Sequence, residues 1–441
     1  MLVRTSKAIA AIAILLALGL GVAWGQAQQQ PTTQKKVKDQ GEYDLYMAIT
    51  KEANAEAKLK LLDQWKEKYP ATDFQLERLA FYLDAYQRLN RPAEIVSTAK
   101  SILEIEPRNL RVLSAVAYFT LNLPKPAPDD LSAGERAAKG VLGVLDAEFV
   151  AEKKPANVSE ADWNKAKTAT EAMAYRTLGW VAMQRKDNEA AEKSFARSLE
   201  LNPEQGEISY WLGGVILAQK KPERQADALF HFARAAAYAG QGALSPQGRQ
   251  QVEAYLAKAY RTYHGEDEAG LKALHELARA NLLPPAGFKI KSRDEIEAEK
   301  REALAKADPA LALWVSIKEN LTGEGGEKYF QDNMKDALVP PENMPAFKGA
   351  LIRSDPVKNP KKLVLRITDP EKPEVTLILE EALTGVAEPG TALQFRGAPT
   401  SFTKEPFMVT FDVEKDKLTG WPAPTPTKKT PPAKKGVVKK K

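Results

Sequence analysis

Residues 171–205, EAMAYRTLGWVAMQRKDNEAAEKSFARSLELNPEQ, decide the fold of this chain. Small and apolar residues recur at helical spacing in both halves of the stretch, and they are Tyr175, Leu178, Gly179 and Ala182, then Ala191, Phe195 and Ser198. Asn202-Pro203 ends the second half, because proline cannot continue a helix. Gly179 and Ala191 allow two antiparallel helices to approach closely, and Phe195 fills the gap to the next unit. The stretch therefore predicts a helical hairpin that stacks on its neighbours.

This spacing resembles the tetratricopeptide repeat, a helix-turn-helix unit of about 34 residues with the pattern W-x2-L-G-x2-Y, A-x3-F and P. Five residues match the pattern directly, namely Leu178, Gly179, Ala191, Phe195 and Pro203. Tyr175 stands where the pattern has tryptophan, and Ala182 stands where it has tyrosine. The resemblance implies a mainly α protein built as an α-solenoid of stacked helix pairs. A helical hairpin unrelated to this family is the alternative.

The pattern continues on both sides of this stretch. Leu212 and Gly213 lie 34 residues beyond Leu178 and Gly179, and Phe232 repeats the role of Phe195. We predict about six units over residues 41–285, of which 172–205 and 206–243 fit best. The residues expected to pack the repeats are Tyr175, Leu178, Gly179, Ala191, Phe195, Pro203, Leu212, Gly213 and Phe232.

The beginning of the chain has the composition of a targeting segment. Residues 1–27 combine a basic start, an apolar run and small residues near a cleavage point, which is typical of a secretory signal peptide. The run from residue 8 to 25 also reaches the lower length for crossing a bilayer, so an uncleaved membrane anchor is the alternative. In both cases we expect export to the periplasm or cell envelope. Residues 28–40 are polar and are predicted to form a flexible lead-in.

The period changes from helical to two near residue 345. Phe407, Val409, Phe411 and Val413 alternate with more polar residues, as in a half-buried strand. Six strands are predicted, at 347–353, 363–368, 375–380, 391–396, 407–413 and 418–421. Residues 345–421 should therefore form a small antiparallel β-barrel or sandwich, which resembles an oligonucleotide/oligosaccharide-binding barrel in strand count only. Residues 286–340 are predicted to be a helical connector or a cap of the repeat array.

The positive charge of the chain is concentrated at its ends. The 441 residues carry a net charge of +6, but residues 422–441 hold seven lysines and no acid, and Arg4 and Lys7 lie in the leader. Subtracting these nine charges leaves about −3 for the body, so no specific nucleic-acid partner is expected. The Lys/Pro-rich segment 422–441 is predicted to be disordered and able to contact an anionic surface.

The sequence contains no recognisable catalytic motif. The absence of cysteine excludes disulfides, thiolate nucleophiles and most structural zinc sites. His231, His264 and His275 belong to no metal-binding or catalytic pattern, and a packed structural histidine is the expected role at position 231. We therefore predict a protein that is not an enzyme and has no cofactor.

A solenoid of this type presents the first helix of each repeat on its concave face. Carried over from the resemblance, the residues expected to bind a partner are Met173, Arg176, Trp180, Met183, Tyr210, Lys258 and Arg261. Packing of Trp180 within the repeat core is the alternative for that residue. The predicted function is a protein-interaction scaffold of the cell envelope that holds a partner protein or peptide. The alternative is binding of nucleic acid, glycan or an anionic surface through the β-domain and the basic tail.

Overall fold

Helices occupy most of the chain between Gln40 and Ala280 in the computed structural model, which describes residues 35–423. The twelve helices of this part form six consecutive pairs, and their bounds are α1 Gln40–Lys51, α2 Ala55–Lys68, α3 Gln75–Arg88, α4 Pro92–Ile105, α5 Leu110–Thr120, α6 Pro128–Glu148, α7 Glu160–Gln184, α8 Asn188–Leu201, α9 Gly206–Ala218, α10 Gln225–Ala237, α11 Pro246–Tyr263 and α12 Glu268–Ala280. The chain divides into two compact units between Ser292 and Arg293, and each is described by itself below.

Short polar side chains start many of these helices. Those that accept a hydrogen bond from a backbone N–H of the first helical turn, the capping arrangement typical of helix N-termini, are Asp39, Asn54, Asn109, Ser159, Asp187, Ser245 and Asp267. In the second, fourth and fifth pairs, the turn between the two helices contains one residue with a left-handed backbone conformation. These residues are Asn90, Lys186 and Lys220. Lys186 and Lys220 are 34 residues apart, so the turn geometry repeats with the sequence period.

Each helix packs mainly against the next or next-but-one helix in the chain. The buried apolar residues accordingly form a succession of clusters rather than one central core. The first cluster contains Ile49, Leu62 and Trp65, and the last contains Phe232 and Leu256. Contacts confined to chain neighbours define a repeat array. The predicted fold class, a mainly α array of helix-turn-helix repeats followed by β structure, is confirmed.

A segment without regular structure, residues 281–291, follows the last helix and is called the closing strap here. Leu282 and Leu283 pack on the apolar cluster that contains Phe195, while Phe288 lies 5.4 Å from Phe230 between ring centroids. The carbonyl oxygen of Lys291 accepts a hydrogen bond from His264 Nδ1 at 2.7 Å. The strap thereby adds to the cover of Phe230 on α10, which also packs in the cluster formed with α11 and α12.

Three helices and seven strands make up the described part of the second unit. Their bounds are α13 Arg293–Ala307, α14 Pro309–Thr322, α15 Gly326–Asn333, β1 Phe347–Asp355, β2 Lys362–Arg366, β3 Val375–Leu379, β4 Ala392–Phe395, β5 Ala398–Lys404, β6 Phe407–Val413 and β7 Leu418–Thr419. The strands form one sheet in the order β5-β6-β3-β2-β1-β4-β7. All neighbours are antiparallel except β3 and β6, which run parallel with Val375 opposite Val409.

One face of the sheet buries an aromatic core under α14. Trp314 is fully buried, and its ring centroid lies 5.4 Å from that of Phe347. Phe395 and Phe411 complete the aromatic group at 5.5 Å from each other. This packing makes α14 part of the sheet unit; it lies within residues 286–340, for which a helical connector or a cap of the repeat array is the prediction.

Glu374 organises the turn that precedes β3. Its buried carboxylate pairs with Lys318 Nζ at 2.5 Å and accepts hydrogen bonds from the Ile367 and Thr368 amides at 2.8 and 2.5 Å. Burial raises the pKa of Glu374, but the bonds from Lys318 and Thr368 outweigh burial and lower the pKa to about 2. The carboxylate therefore stays charged and ties α14 to the sheet.

Two sequence predictions need correction in this unit. The β-domain is not an antiparallel barrel, because its sheet contains the parallel β3–β6 pair and is not closed. The sheet has seven strands, so the predicted resemblance in strand count to an oligonucleotide/oligosaccharide-binding barrel does not hold. Strand β5 was not predicted, since Ala398–Lys404 is a polar edge strand that contains Pro399 and shows weak alternation.

Within residues 35–423 no helix is long and apolar enough to cross a membrane. The predicted signal peptide or anchor at 1–27 and most of the predicted basic tail lie outside the described residues. Of the predicted lead-in, Lys36 donates its backbone N–H to Asp73 Oδ2 at 3.0 Å, so this part rests against the repeat array.

Candidate functional site

The first helices of the last three pairs carry a continuous set of half-buried and exposed side chains. We call this set the first-helix face, and it consists of Met173, Arg176 and Met183 on α7, Glu207, Tyr210, Trp211 and Gly214 on α9, and Tyr255, Lys258 and Arg261 on α11. On α9 these residues recur at helical spacing and share one side of the helix. The opposite side of α9 holds the buried Ile208, Leu212 and Ile216.

Arg176 joins the fourth and fifth pairs across this face. Its guanidinium forms an ion pair with Glu207 at 2.7 Å and lies 5.4 Å from the centroid of the Trp211 ring. Trp211 in turn contacts Phe195 with a centroid separation of 5.3 Å. An arginine held both by a carboxylate and over an aromatic ring is fixed in position. Arg176 therefore contributes a preorganised planar cation to the surface.

A row of three aromatic rings connects α9 to α11. Tyr210 meets Phe232 edge-on at 5.9 Å, and Phe232 meets Tyr255 edge-on at 5.0 Å. Edge-to-face pairs of this kind are worth about 0.5–1.5 kcal/mol beyond the burial of their area. Phe232 is buried, whereas Tyr255 is 46% exposed. The row thus ends in a tyrosine that is held by its neighbour yet open to solvent.

Two adjacent glycines on α9 have opposite surroundings. A Cβ atom on Gly213 would lie 2.8 Å from Phe232 Cζ, which is closer than packing allows. A Cβ atom on Gly214 would meet nothing within 4 Å. Gly213 therefore serves the close approach of α9 and α10, while Gly214 lies exposed on the first-helix face.

The α11 end of the face is basic. Lys258 and Arg261 are both exposed. Arg261 Nε pairs with Glu266 at 2.7 Å, but the two side chains are 60% and 75% exposed, so water screens this pair strongly. At the α7 end, by contrast, Arg176 and Glu207 neutralise each other.

Trp180 is not on the accessible part of this face. It is only 7% exposed and packs in the cluster that contains Leu121, Val181 and Phe195. Trp180 therefore packs within the repeat core, which was the alternative, and does not offer its side chain to a partner as predicted. Met173 and Met183 are half-buried and also pack against core clusters, so they offer limited surface.

The residues predicted to pack the repeats occupy the following positions. Phe195 is fully buried, and a Cβ on Gly179 would lie 2.5 Å from its ring. Four other residues of this predicted set are also buried, namely Ala191, Leu212, Gly213 and Phe232. Tyr175 and Leu178 are half-buried. Pro203 is exposed, but its carbonyl oxygen accepts a hydrogen bond from Arg234 at 2.7 Å.

The histidines have structural surroundings. His231 is buried beside Phe230, and burial lowers its pKa to about 3, so it is neutral. His275 Nε2 lies 3.1 Å from Glu253, and His264 Nε2 lies 3.3 Å from Asp267. Within residues 35–423 no group of three or more acidic or histidine side chains is arranged to hold a metal ion.

A separate open cleft of about 390 Å³ lies in the second unit. Its lining is mainly acidic and comprises Glu380, Glu381, Glu414, Lys415 and Asp416. Lys415 pairs with Glu381 at 3.2 Å. Its lining residues include no serine, threonine or histidine.

Sequence reasoning missed three members of the first-helix face, namely Trp211, Gly214 and Tyr255. Trp211 and Gly214 could have been found from helical spacing, since they lie one turn from Glu207 and Tyr210. The ring contact of Tyr255 with Phe232 joins two different helices, and no local sequence pattern reveals it.

The helix pairs define a helical-repeat fold that is followed by a C-terminal mixed β-sheet. No family model and no curated protein matches the chain. Among solved structures, the chain is similar to a thermophilic tetratricopeptide-repeat protein of Thermus thermophilus, at 20% identity and a TM-score of 0.24. The match covers 49% of this chain and 94% of that one. The assignment of the fold rests on the helix pairs themselves and not on this likeness.

Proposed function

We propose that this chain is a non-enzymatic scaffold that binds another protein or a peptide on its first-helix face. The observation that carries the proposal is the set of Arg176, Trp211, Tyr210 and Tyr255 on consecutive first helices. Arginine, tryptophan and tyrosine are the residue types that contribute most binding energy at protein interfaces. In a repeat array the first helices line the surface on which partners usually dock.

The fixed positions of these side chains favour binding over a purely structural role. Arg176 and Tyr255 are already held by Trp211 and Phe232, so a partner would lose little entropy in ordering them. Tyr255 nevertheless leaves nearly half of its surface to solvent. An exposed aromatic ring on a rigid helix is a suitable anchor for a partner side chain.

We place this scaffold in the cell envelope. The composition of residues 1–27 supports export, and the seven lysines of residues 422–441 suit an anionic membrane or polymer surface. Near such a surface each lysine contributes about 1 kcal/mol, and this attraction falls as salt rises. Removal of residues 422–441 should abolish salt-sensitive retention on anionic vesicles and leave partner capture unchanged. Equal retention of the truncated chain would refute the role of the tail.

The scaffold function is tested by two matched tyrosine variants. Tyr255 and Tyr43 are 46% and 45% exposed, but Tyr43 lies on α1, far along the array from the proposed surface. We expect Tyr255→Ala to weaken capture of partners from an envelope extract at least about tenfold, the size typical of an interface anchor. Tyr43→Ala should bind like the unchanged chain. If both variants capture the same proteins equally well, the first-helix face is not the binding surface.

A further inference from the structure

The end of the closing strap is bonded to a histidine of the last helix pair. His264 directly follows α11, and its side chain is 18% exposed. Its Nδ1 lies 2.7 Å from the carbonyl oxygen of Lys291, and its Nε2 lies 3.3 Å from Asp267 Oδ2. Carbonyl and carboxylate oxygens only accept hydrogen bonds, and a neutral imidazole has a single N–H. The neutral ring can therefore satisfy one of these two oxygens, whereas the doubly protonated ring satisfies both.

The groups in contact with the ring include one charge. The backbone N–H of Gly270 and the neighbouring His264 hold the pKa of Asp267 below its usual value, so this carboxyl is an anion. The ring of Tyr260 lies 5.2 Å from that of His264 between centroids. Burial raises the pKa of Tyr260 to about 12, so its hydroxyl stays neutral. Asp267 therefore determines which protonation state of the histidine is favoured electrostatically.

The remaining charged side chains near His264 in the sequence and on the strap are hydrated. Arg261 forms an ion pair with Glu266 at 2.7 Å, and both side chains are more than half exposed. On the strap, Lys289 and Lys291 are exposed as well. Water and salt screen charges in such positions. They act on the ring less than Asp267 does, since Asp267 lies within hydrogen-bonding distance of it.

We propose that His264 is a pH-sensitive latch, which holds the end of the closing strap while its ring is doubly protonated and releases it when the ring becomes neutral. Histidine ordinarily changes its charge between pH 5 and 8. The single proton of the neutral ring stays on Nε2, because the Asp267 carboxylate is a stronger acceptor than the Lys291 carbonyl. Nδ1 then turns a lone pair towards that carbonyl oxygen, and two acceptors at this distance repel each other. The strap end is therefore held at acidic pH, and this hold is lost as the pH rises.

His275 is a matched control in the same helix pair. Its side chain is also 18% exposed, and its Nε2 lies 3.1 Å from Glu253. This pair joins α12 to α11 and not to the strap. Titration of His275 should therefore leave the strap end in place.

The strap end is followed in the full-length chain through Ile290→Cys, since the chain has no other cysteine. Its rate of alkylation by iodoacetamide is divided by that of Val357→Cys, a site that is 67% exposed, so that the pH dependence of the thiol itself cancels. The relative rate should be about three- to fivefold higher at pH 8 than at pH 5.5, the size expected for one partly exposed ion pair. His264→Gln should give the high rate at both pH values, and Asp267→Asn, which still caps α12, should give the low rate at both. His275→Gln should keep the pH dependence.

Three outcomes of the alkylation experiment would overturn the latch. They are an equal relative rate at pH 5.5 and pH 8, a pH dependence that survives in His264→Gln, and a pH dependence that His275→Gln removes as well. Ring ¹⁵N chemical shifts of the histidine-labelled chain give a second measurement without a substitution in the strap. Both nitrogens of His264 should carry a proton at pH 5.5, and only Nε2 should carry one at pH 8. A neutral ring with its proton on Nδ1 would contradict the release of Lys291.

Discussion

The neighbouring glycines of α9 give a sharp test of the repeat packing. Gly213→Ala would place a methyl group 2.8 Å from Phe232 Cζ, whereas Gly214→Ala would place it in open space. Each substitution gains about 1 kcal/mol of helix propensity, and this gain is common to both positions. Overpacking against Phe232, which is 4% exposed and cannot move out, costs about 1–3 kcal/mol at Gly213 only.

The free energies of unfolding of the two variants should therefore differ by about 2 kcal/mol, the middle of the overpacking range. We expect Gly214→Ala to be stabilised by about 1 kcal/mol and Gly213→Ala to be destabilised by a similar amount. Urea unfolding followed by far-UV circular dichroism measures both values. The slope of each transition should stay unchanged, since the surface exposed on unfolding is the same.

A second pair of glycines repeats the test elsewhere in the array. Gly179→Ala would bring a methyl group 2.5 Å from Phe195 Cδ1, while Gly143→Ala on α6 meets no atom within 4 Å. The free energy of unfolding should again be lower for the variant with the clash. The decrease should be larger for Gly179→Ala than for Gly213→Ala, because Phe195 is fully buried. Equal stabilities within either pair would refute the close helix approach on which the repeat assignment depends.

Three further predictions concern other parts of the chain. Trp180→Ala should lower the free energy of unfolding by about 3–5 kcal/mol, as expected for a buried aromatic, whereas Tyr255→Ala should cost much less; equal losses in calorimetry would contradict the different burial of these two residues. The pKa of Glu374 is lowered from 4.5 to about 2, so its pairing with Lys318 stabilises the fold above pH 4.5 and this stabilisation is lost as the pH falls towards 2. In Glu374→Gln the free energy of unfolding should therefore fall less steeply between pH 4.5 and 2 than in the unchanged chain. Phe288→Ala should speed hydrogen exchange in α10, where Phe288 contacts Phe230, and exchange at the unchanged rate would show that the closing strap does not stabilise this helix.

The helix pairs were predictable because the features that define them are local. Gly179, Phe195 and Pro203 lie within one repeat. The same pattern recurs at Leu212 and Gly213 in the next repeat. Spacing within a single stretch is enough to reveal a repeat whose units contact only their neighbours.

Trp180 shows where local spacing fails. It shares a helix side with Arg176, which favours exposure, but the end of α5 supplies Leu121 to the cluster that covers it. That contact joins residues almost sixty positions apart. The contact of Tyr255 with Phe232 is likewise not local, since it joins α11 to α10.

The sheet was harder to predict than the helices for a related reason. Alternation in β6 identifies a half-buried strand but does not identify its partner. The parallel pairing of β6 with β3 joins strands separated by two others in the sequence. Edge strand β5 also buries little, so its residues carry almost no apolar signal.

The closing strap limits how such an array can lengthen by gene duplication. Phe288 and Ile290 must return from the last helix to the α10 cluster, and Lys291 must reach His264. A helix pair inserted directly after Ala280 would separate the strap from these residues and expose Phe230. Leu282 and Leu283 also pack on the cluster formed by α7, α8 and α9, so only duplication of a pair before α7 keeps all strap contacts together. Longer versions of this chain should therefore have gained their additional repeats before α7, with the last three pairs inherited as one block.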